Sequence, residues 1–314
     1  MALTMNDMDR FKASMPRLEA IAYRLLGSAS DAEDAVQDTF LRWQAADIDR
    51  IEVPEAWLTK VLTNLCLNQL TSARARRESY VGQWLPEPLL EGDPMLGPAD
   101  TAEQRESVSY AVLTLMERLS PNERVVYVLR EAFDYPHRQI AEILDITEAS
   151  SQQILHRAKK HVTEGKARTE IDEAAARRIV EEFLAAATSG RTEPLVRLLT
   201  ADAIAIGDGG GKVPARAKAF EGARAVATFM RGLFKPSKAK RALTGGPADM
   251  YATTANGAPA VVAVVDGRVI GIVCLEVTAD GISAFRSQVN PDKLERATAL
   301  WAASEHGEPL LSAF

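Results

Sequence analysis

The spacing of apolar residues changes once along this chain, near Ile171, and that change constrains the fold more than any single motif. Before it, apolar residues recur at helical spacing; after it a helix, EAAARRIVEEFLAAATSG, and a second near Ala223–Phe234 lead into apolar runs of strand length, and DKLERATALWAA forms a final helix. PAVVAVV, RVIGIVCLEV and ISAFRSQVN are joined by Asp266-Gly267 and Asp280-Gly281, dipeptides suited to tight hairpin turns. Helices followed by a meandering sheet indicate an α+β unit behind an all-α part. At 314 residues the chain exceeds one ordinary core, which fits two or three domains.

From Phe11 to Tyr80 the pattern is three helices, the first ending near Gly27. The second contains DAEDAVQDTFLRW, where Ala32, Val36, Phe40 and Trp43 make an apolar stripe. Asp31, Glu33, Asp34, Gln37 and Asp38 crowd the remaining surface, with Leu41 exposed among them. Asp31 is placed to cap the helix start, whereas the later carboxylates repel one another. Such a face is either merely solvated or built for a basic partner. The third helix starts at Pro54, a residue suited to a first turn. Trp57, Val61 and Leu65 form its apolar side; Thr59, Lys60, Thr63, Asn64 and Asn68 form a polar side that ends in Arg74, Arg76 and Arg77. Cations supply phosphate affinity and amides read exposed bases; a core helix with a solvated basic end has the same pattern.

Residues 81–107 are rich in Pro, Gly and acid and read as a linker. Trp84, Leu85, Leu89 and Leu90 are too apolar for a solvated tether, so part of the linker should dock. Val108–Val162 is helical again. Ser120-Pro121-Asn122-Glu123 has the cap, the N1 proline and the N3 acid of a helix start. HRQIAEILD and EASSQQILHRAKKHV, separated by Ile146-Thr147, have helix-turn-helix spacing, with Ile140, Ala141, Leu144, Ile146, Leu155 and Val162 inward. Ser150, Gln152, Gln153 and His156 should point outward, followed by Arg157, Lys159 and Lys160. These residue types suit base edges and phosphates in a major groove, although helix pairs of this length are common in all-α proteins.

The acidic helix resembles the core-polymerase-binding helix of bacterial sigma factors, and FDYPHRQIAEILDITEASSQQILHRAKKHV resembles sigma region 4. The resemblance implies an all-α region 2 over residues 1–80, whose Asp31, Glu33, Asp34, Gln37, Asp38 and Leu41 meet core RNA polymerase. It further implies that Lys60, Asn64, Asn68, Arg74, Arg76 and Arg77 contact the −10 promoter element. An all-α region 4 over residues 108–168 would read the −35 element through Ser150, Gln152, Gln153, His156, Arg157, Lys159 and Lys160. Ile154 stands where many sigma factors have a basic residue. Two such regions without the others resemble an extracytoplasmic-function (ECF) sigma factor.

WLPEP (Trp84–Pro88), DGGGK (Asp208–Lys212) and NPDKL (Asn290–Leu294) resemble the ECF subgroup with a fused SnoaL-like (NTF2-like) domain. That implies an α+β fold with a curved antiparallel sheet over residues 171–314 that regulates the sigma core in cis. Trp84, Leu85, Glu87, Asp208, Lys212, Asn290, Asp292 and Lys293 would form the interdomain contact, with Lys212 or Lys293 meeting Glu87. Taken alone, DGGGK is a tight turn whose amides and lysine also suit an anion, and NPDKL is a helix cap with proline at N1.

A net charge of −6 excludes nucleic-acid binding over the whole surface, so DNA contact must use local basic patches. Cys66 and Cys274 have no metal or redox spacing and read as buried thiols of a reducing compartment. The N-terminus has no apolar signal core, and the most apolar run, Ala260–Val277, is broken by Asp266-Gly267-Arg268, so no membrane and a cytoplasmic location are expected. His137, His156, His161 and His306 all lie outside the strand-forming part, which leaves it no imidazole base. No catalytic residue, metal or cofactor is expected. The expected partners are core RNA polymerase and promoter DNA, with a small-molecule ligand of the pocket unnamed. Two other readings stay open: a ligand-responsive helix-turn-helix regulator, and a SnoaL-type isomerase or cyclase fused to a DNA-binding module.

Overall fold

A computed structural model describes residues 4–78, 80–98, 100–163, 173–216 and 218–312. The chain forms two compact units, one from residues 1–79 and 92–166, the other from residues 80–91 and 167–314.

In the first unit, α1 (Met5–Leu26), α2 (Ala29–Ala45) and α3 (Pro54–Glu78) pack on one another. Thr4 caps α1 in a reciprocal box with Asp7, and Gly27 ends it in the left-handed region at φ 69°. Ile21, Leu25, Trp43, Leu58 and Leu62 are buried between the three helices, and Trp43 packs on Trp57 with ring centroids 5.6 Å apart. The N-cap of α2 is Ser28, whose Oγ accepts the Asp31 N–H at 3.2 Å; the expected cap, Asp31, lies in the first turn instead. A hydroxyl one turn earlier reaches the same free amides.

Next come α4 (Ala102–Ser107), α5 (Tyr110–Met116) and α6 (Pro121–Tyr127), the last with the expected Ser120–Glu123 capping box. α4 lies inside the stretch read as linker. The helix-turn-helix follows as α7 (His137–Leu144) and α8 (Glu148–Thr163). Asp145 turns the chain between them in the left-handed region at φ 55°. Ile140, Ala141, Ile143, Ile154, Ala158 and Val162 are buried, whereas Leu144, Ile146 and Leu155 are only half-buried. Ile154 thus belongs to the core of the pair.

The second unit contains α9 (Glu173–Thr188), α10 (Glu193–Leu198), β1 (Leu199–Asp208), β2 (Phe220–Glu221), α11 (Ala223–Leu233) and α12 (Lys238–Thr244). β3 (Asp249–Ala255), β4 (Ala258–Val265), β5 (Arg268–Thr278), β6 (Gly281–Gln288) and α13 (Glu295–Ala303) complete it. The sheet order is β2-β1-β6-β5-β4-β3. The expected all-antiparallel sheet is corrected at one place, because β1 and β6 run parallel. The helices and four strands between them return β6 to β1 in the same direction, as a parallel neighbour requires. Phe183 and Phe285 pack with ring centroids 5.0 Å apart and tilted planes, and Phe234 sits edge-on to Phe183.

Two strands beyond the three read from sequence, β1 and β3, are long. The β3–β4 hairpin turns on Asn256-Gly257, with φ of 50° and 69°, the geometry that favours Asn-Gly. No helix among the described residues is long and apolar enough to cross a membrane.

Candidate functional site

Three surfaces and one buried clasp emerge. On α2, Ala32, Ala35, Val36, Thr39 and Trp43 point into the core, which leaves Glu33, Asp34, Gln37, Asp38 and Leu41 outward on one face. Leu41 is 53% exposed among the acids, and Asp31 is half-buried at the edge. Phe40 is held against Phe11 at 4.9 Å, which sets the rotation of the helix. The result is a rigid acidic face with one apolar residue in it.

On α3, Lys60, Asn64 and Asn68 are exposed at spacing i, i+4, i+8 and form one stripe. Thr59 and Thr63, read as part of that polar side, are buried instead. Thr59 donates to the Glu55 carbonyl at 2.9 Å, and a second bond of 2.9 Å joins it to the Tyr135 hydroxyl. Lys60 donates to the Glu142 carbonyl of α7 at 2.8 Å. The side chains of Arg74, Arg76 and Arg77 lie outside the described residues.

On α8, Gln152, Gln153, His156, Arg157, Lys159 and Lys160 are exposed. Ser150 is half-buried and its hydroxyl pairs with Thr147 at 2.8 Å at the helix start, so it is occupied in capping. Lys159 meets Glu131 at 2.7 Å and Arg157 meets Glu123 at 3.6 Å. Burial works to raise the Glu123 carboxyl, but bonds from Ser120 with the His161 and Arg157 charges hold it below its usual range. A feature unread in the sequence is a 2.9 Å bond between buried Ser151 and His137 Nδ1, which latches α8 to α7.

Two buried arginines, also unread, hold this unit together. Arg24 donates to Ser107 Oγ at 2.9 Å and to the Leu96 carbonyl at 2.7 Å, and burial pulls its pKa down to about 10. Arg124 meets Glu117 at 2.6 Å, and burial pulls it down to about 9. Their visible signal was a cation inside an apolar helical run, IAYRLL and NERVVYVL. Gly97 lets the chain pass over Arg24, since a Cβ there would lie 2.6 Å from that of Ala20.

The clasp lies in the second unit and centres on Asp208, which is fully buried. Oδ1 accepts from the Tyr80 hydroxyl at 2.6 Å and the Gly210 N–H at 3.0 Å. Oδ2 accepts from the Leu85 N–H at 2.9 Å, Lys293 Nζ at 2.8 Å and Gln288 Nε2 at 3.4 Å. Lys293 also donates to the Leu85 carbonyl at 2.7 Å and sits 4.3 Å from the Trp84 ring centroid. Asn290 Nδ2 donates to the Tyr80 hydroxyl at 3.0 Å while its Oδ1 accepts the Asp292 N–H at 3.2 Å. Burial first, then the bond to Asp208, pushes the Tyr80 phenol above its ordinary range.

DGGGK, NPDKL and WLPEP therefore meet around one carboxylate. Lys212, one of the two lysines expected at Glu87, pairs with Asp292 at 2.6 Å instead, because both lie at the rim of the turn, about half-exposed. Lys293 has the Asp208 carboxylate described above, and Glu87 is buried in the strap. At the far end of the strap, Leu89 and Asn256 exchange bonds of 2.9 Å, and the Glu91 N–H donates to the Thr254 carbonyl at 3.2 Å. Tyr80, Gln288, Asn256 and Thr254 were not read as site residues; only Gln288, two residues before NPDKL, had a positional signal.

An acidic helix face, an amide-and-lysine stripe and a helix-turn-helix in one unit, with an α+β SnoaL-like unit in the same chain, define a sigma-type transcription factor. Residues 11–76 match the Sigma-70 region 2 family and residues 109–162 match Sigma-70 region 4. The ECF RNA polymerase sigma factor SigJ of Mycobacterium tuberculosis is 38% identical over 228 residues, covering 72% of this chain and 73% of that protein. The probable ECF RNA polymerase sigma factor SigI of the same species is 29% identical, covering 91% and 93%. The crystal structure of M. tuberculosis SigJ matches with a TM-score of 0.69 at 32% identity, over 91% of this chain and 97% of that one. The chain belongs to the ECF RNA polymerase sigma factors of the sigma-70 family.

Proposed function

We propose that this chain directs core RNA polymerase to promoters and that its C-terminal unit regulates it through the strap, residues 80–91. Glu33, Asp34, Gln37, Asp38 and Leu41 meet a basic surface of the polymerase, with Asp31 at the edge. Lys60, Asn64 and Asn68, with Arg74, Arg76 and Arg77, contact the −10 element. Gln152, Gln153 and His156 read −35 bases, while Arg157, Lys159 and Lys160 hold phosphates and Ser150 sets the helix start. Lys60 must release the Glu142 carbonyl to reach DNA, so promoter binding involves parting α3 from α7.

The chain does no chemistry of its own in this reading. The cavity of the second unit has Glu295 as the single carboxylate among its described lining residues, and no histidine. The reading rests most directly on the outward acidic face of α2 on its fixed core, and family membership supports it. Run-off transcription with purified core polymerase tests it. Wild type should give discrete transcripts and Asp34→Lys/Asp38→Lys should lose them with its helical circular dichroism unchanged, since exposed substitutions cost about 0.5 kcal/mol or less. Wild-type transcription by that variant would remove the polymerase assignment.

A further inference from the structure

The second unit encloses a cavity of about 850 Å³ against one face of its sheet, within the size range of small-molecule sites. Ala205, Val261, Val273, Phe234 and Met250 give it apolar walls, and Gly207 on β1 leaves room where a side chain would intrude. The charged residues around it are mostly of one sign. Arg216, Lys218, Arg241 and Arg268 all line the cavity and face solvent, against the single acid Glu295. Arg216 is held in place, its guanidinium 4.5 Å from the Phe220 ring centroid, and Phe220 itself stacks on Phe229 at 4.2 Å. In the wall, Ser287 Oγ is buried without a hydrogen-bond partner, a cost the protein bears unless something fills the site. An apolar interior behind a cationic mouth fits a molecule with an apolar body and an anionic head, and disfavours a cation or a fully polar ligand.

The cavity also shares its wall with the clasp. β1 and β6 are in register as Gly207 with Ser287 and Asp208 with Gln288. Side chains alternate across a strand, so the first pair lines the cavity while the second binds the strap from the other face. Pro291 and Leu294, on either side of Lys293, line the cavity too. A ligand that shifts this wall shifts the residues holding the strap.

We propose that the cavity is a binding site for a carboxylate amphiphile and that its occupancy is felt at the Asp208 clasp; the second part rests on the regulatory reading above. Calorimetry on the full chain, with sodium dodecanoate and 1-dodecanol as probes, tests the first part. Dodecanoate should bind at least ten times more tightly than the alcohol. Arg216→Gln/Lys218→Gln should weaken dodecanoate binding about tenfold and leave the alcohol unchanged, a difference of ~1.4 kcal/mol. No dodecanoate binding, or equal binding of acid and alcohol, overturns the ligand class. The Trp84 share of the fluorescence, obtained by subtracting Trp84→Phe, reads the second part. It should change on dodecanoate binding, and a constant Trp84 signal at saturation overturns the coupling. Failure of the regulatory reading shows separately, as transcription indifferent to the clasp with the calorimetry intact.

Discussion

Asp208 and Arg124 show how single residues set this molecule's behaviour. A buried carboxylate is tolerated only when hydrogen-bonded and paired, and Asp208 meets that condition with donors from the strap, the turn and NPDKL. Gly210 is essential to this packing, since at φ 59° a Cβ would fall 2.4 Å from Asn290 Nδ2. Gly210→Ala should cost more than about 1 kcal/mol in thermal unfolding of the second unit, and an unchanged melting profile would show the turn can move aside. Arg124 is the mirror case, a buried cation answered by Glu117. Glu117→Ala, which strands that charge, should lower stability by roughly 3 kcal/mol, whereas Arg124→Met should cost far less because it removes the charge with its partner's obligation. Urea unfolding of both variants checks the order.

Residue-level legibility followed locality. The glycines of DGGGK and the Ser120 capping box were readable because local backbone geometry fixes them. Thr59 and Thr63 were misplaced on the polar side because their burial depends on packing partners, Tyr135 among them, far away in sequence. Ser28 against Asp31 was a choice of register among several capping residues in one turn.

At the scale of elements, periodicity worked where residues were strongly apolar. β4 and β5 are rich in Val and Ile, β6 alternates Ile282 and Ala284 with polar residues before Phe285, and all three were legible. β1 and β3, LTADAIAIGD and DMYATTA, are mostly Ala, Thr and Asp and carry few strongly apolar residues. Asn256-Gly257 was the available sign of the β3–β4 hairpin. The parallel β1–β6 pair is a long-range choice that local pattern does not encode. The helix-turn-helix was legible as a pair, but which apolar residue of α8 is deepest was not: Ile154 and Ala158 are buried while Leu155 is only half-buried.

That geometry sharpens the expectations for α8. Gln153→Ala should lose about 1–3 kcal/mol of discrimination at one base position if its amide pairs with a base edge. Lys160→Ala should weaken binding to every sequence and lower the salt slope by about 1. Binding titrations across salt and a set of single-base operator variants separate the two effects. Identical behaviour of both variants would reduce α8 to an electrostatic anchor.

At the scale of the whole molecule, the strap is the segment through which the proposed regulation would act. It follows α3 in sequence, precedes region 4, and lies against the sheet of the C-terminal unit from Tyr80 to Glu91. Its docking was anticipated from misplaced apolar residues in a loop-like stretch, because a tryptophan and three leucines have no reason to sit in a solvated tether. The chemistry of the docking was only partly anticipated, since the central acceptor is Asp208 and Lys212 serves the rim. In the proposed function regions 2 and 4 address two elements of one duplex, so the free length between them matters, and the clasp would set how much of it is available. The most direct measurement is run-off transcription from fragmented genomic DNA, read by sequencing, with core polymerase and either wild type or Asp208→Ala. The account predicts a change of at least about twofold in transcript yield or in the set of promoters used, with core binding retained. Identical transcripts from a folded Asp208→Ala protein whose strap is shown by Trp84 fluorescence to be released would contradict it.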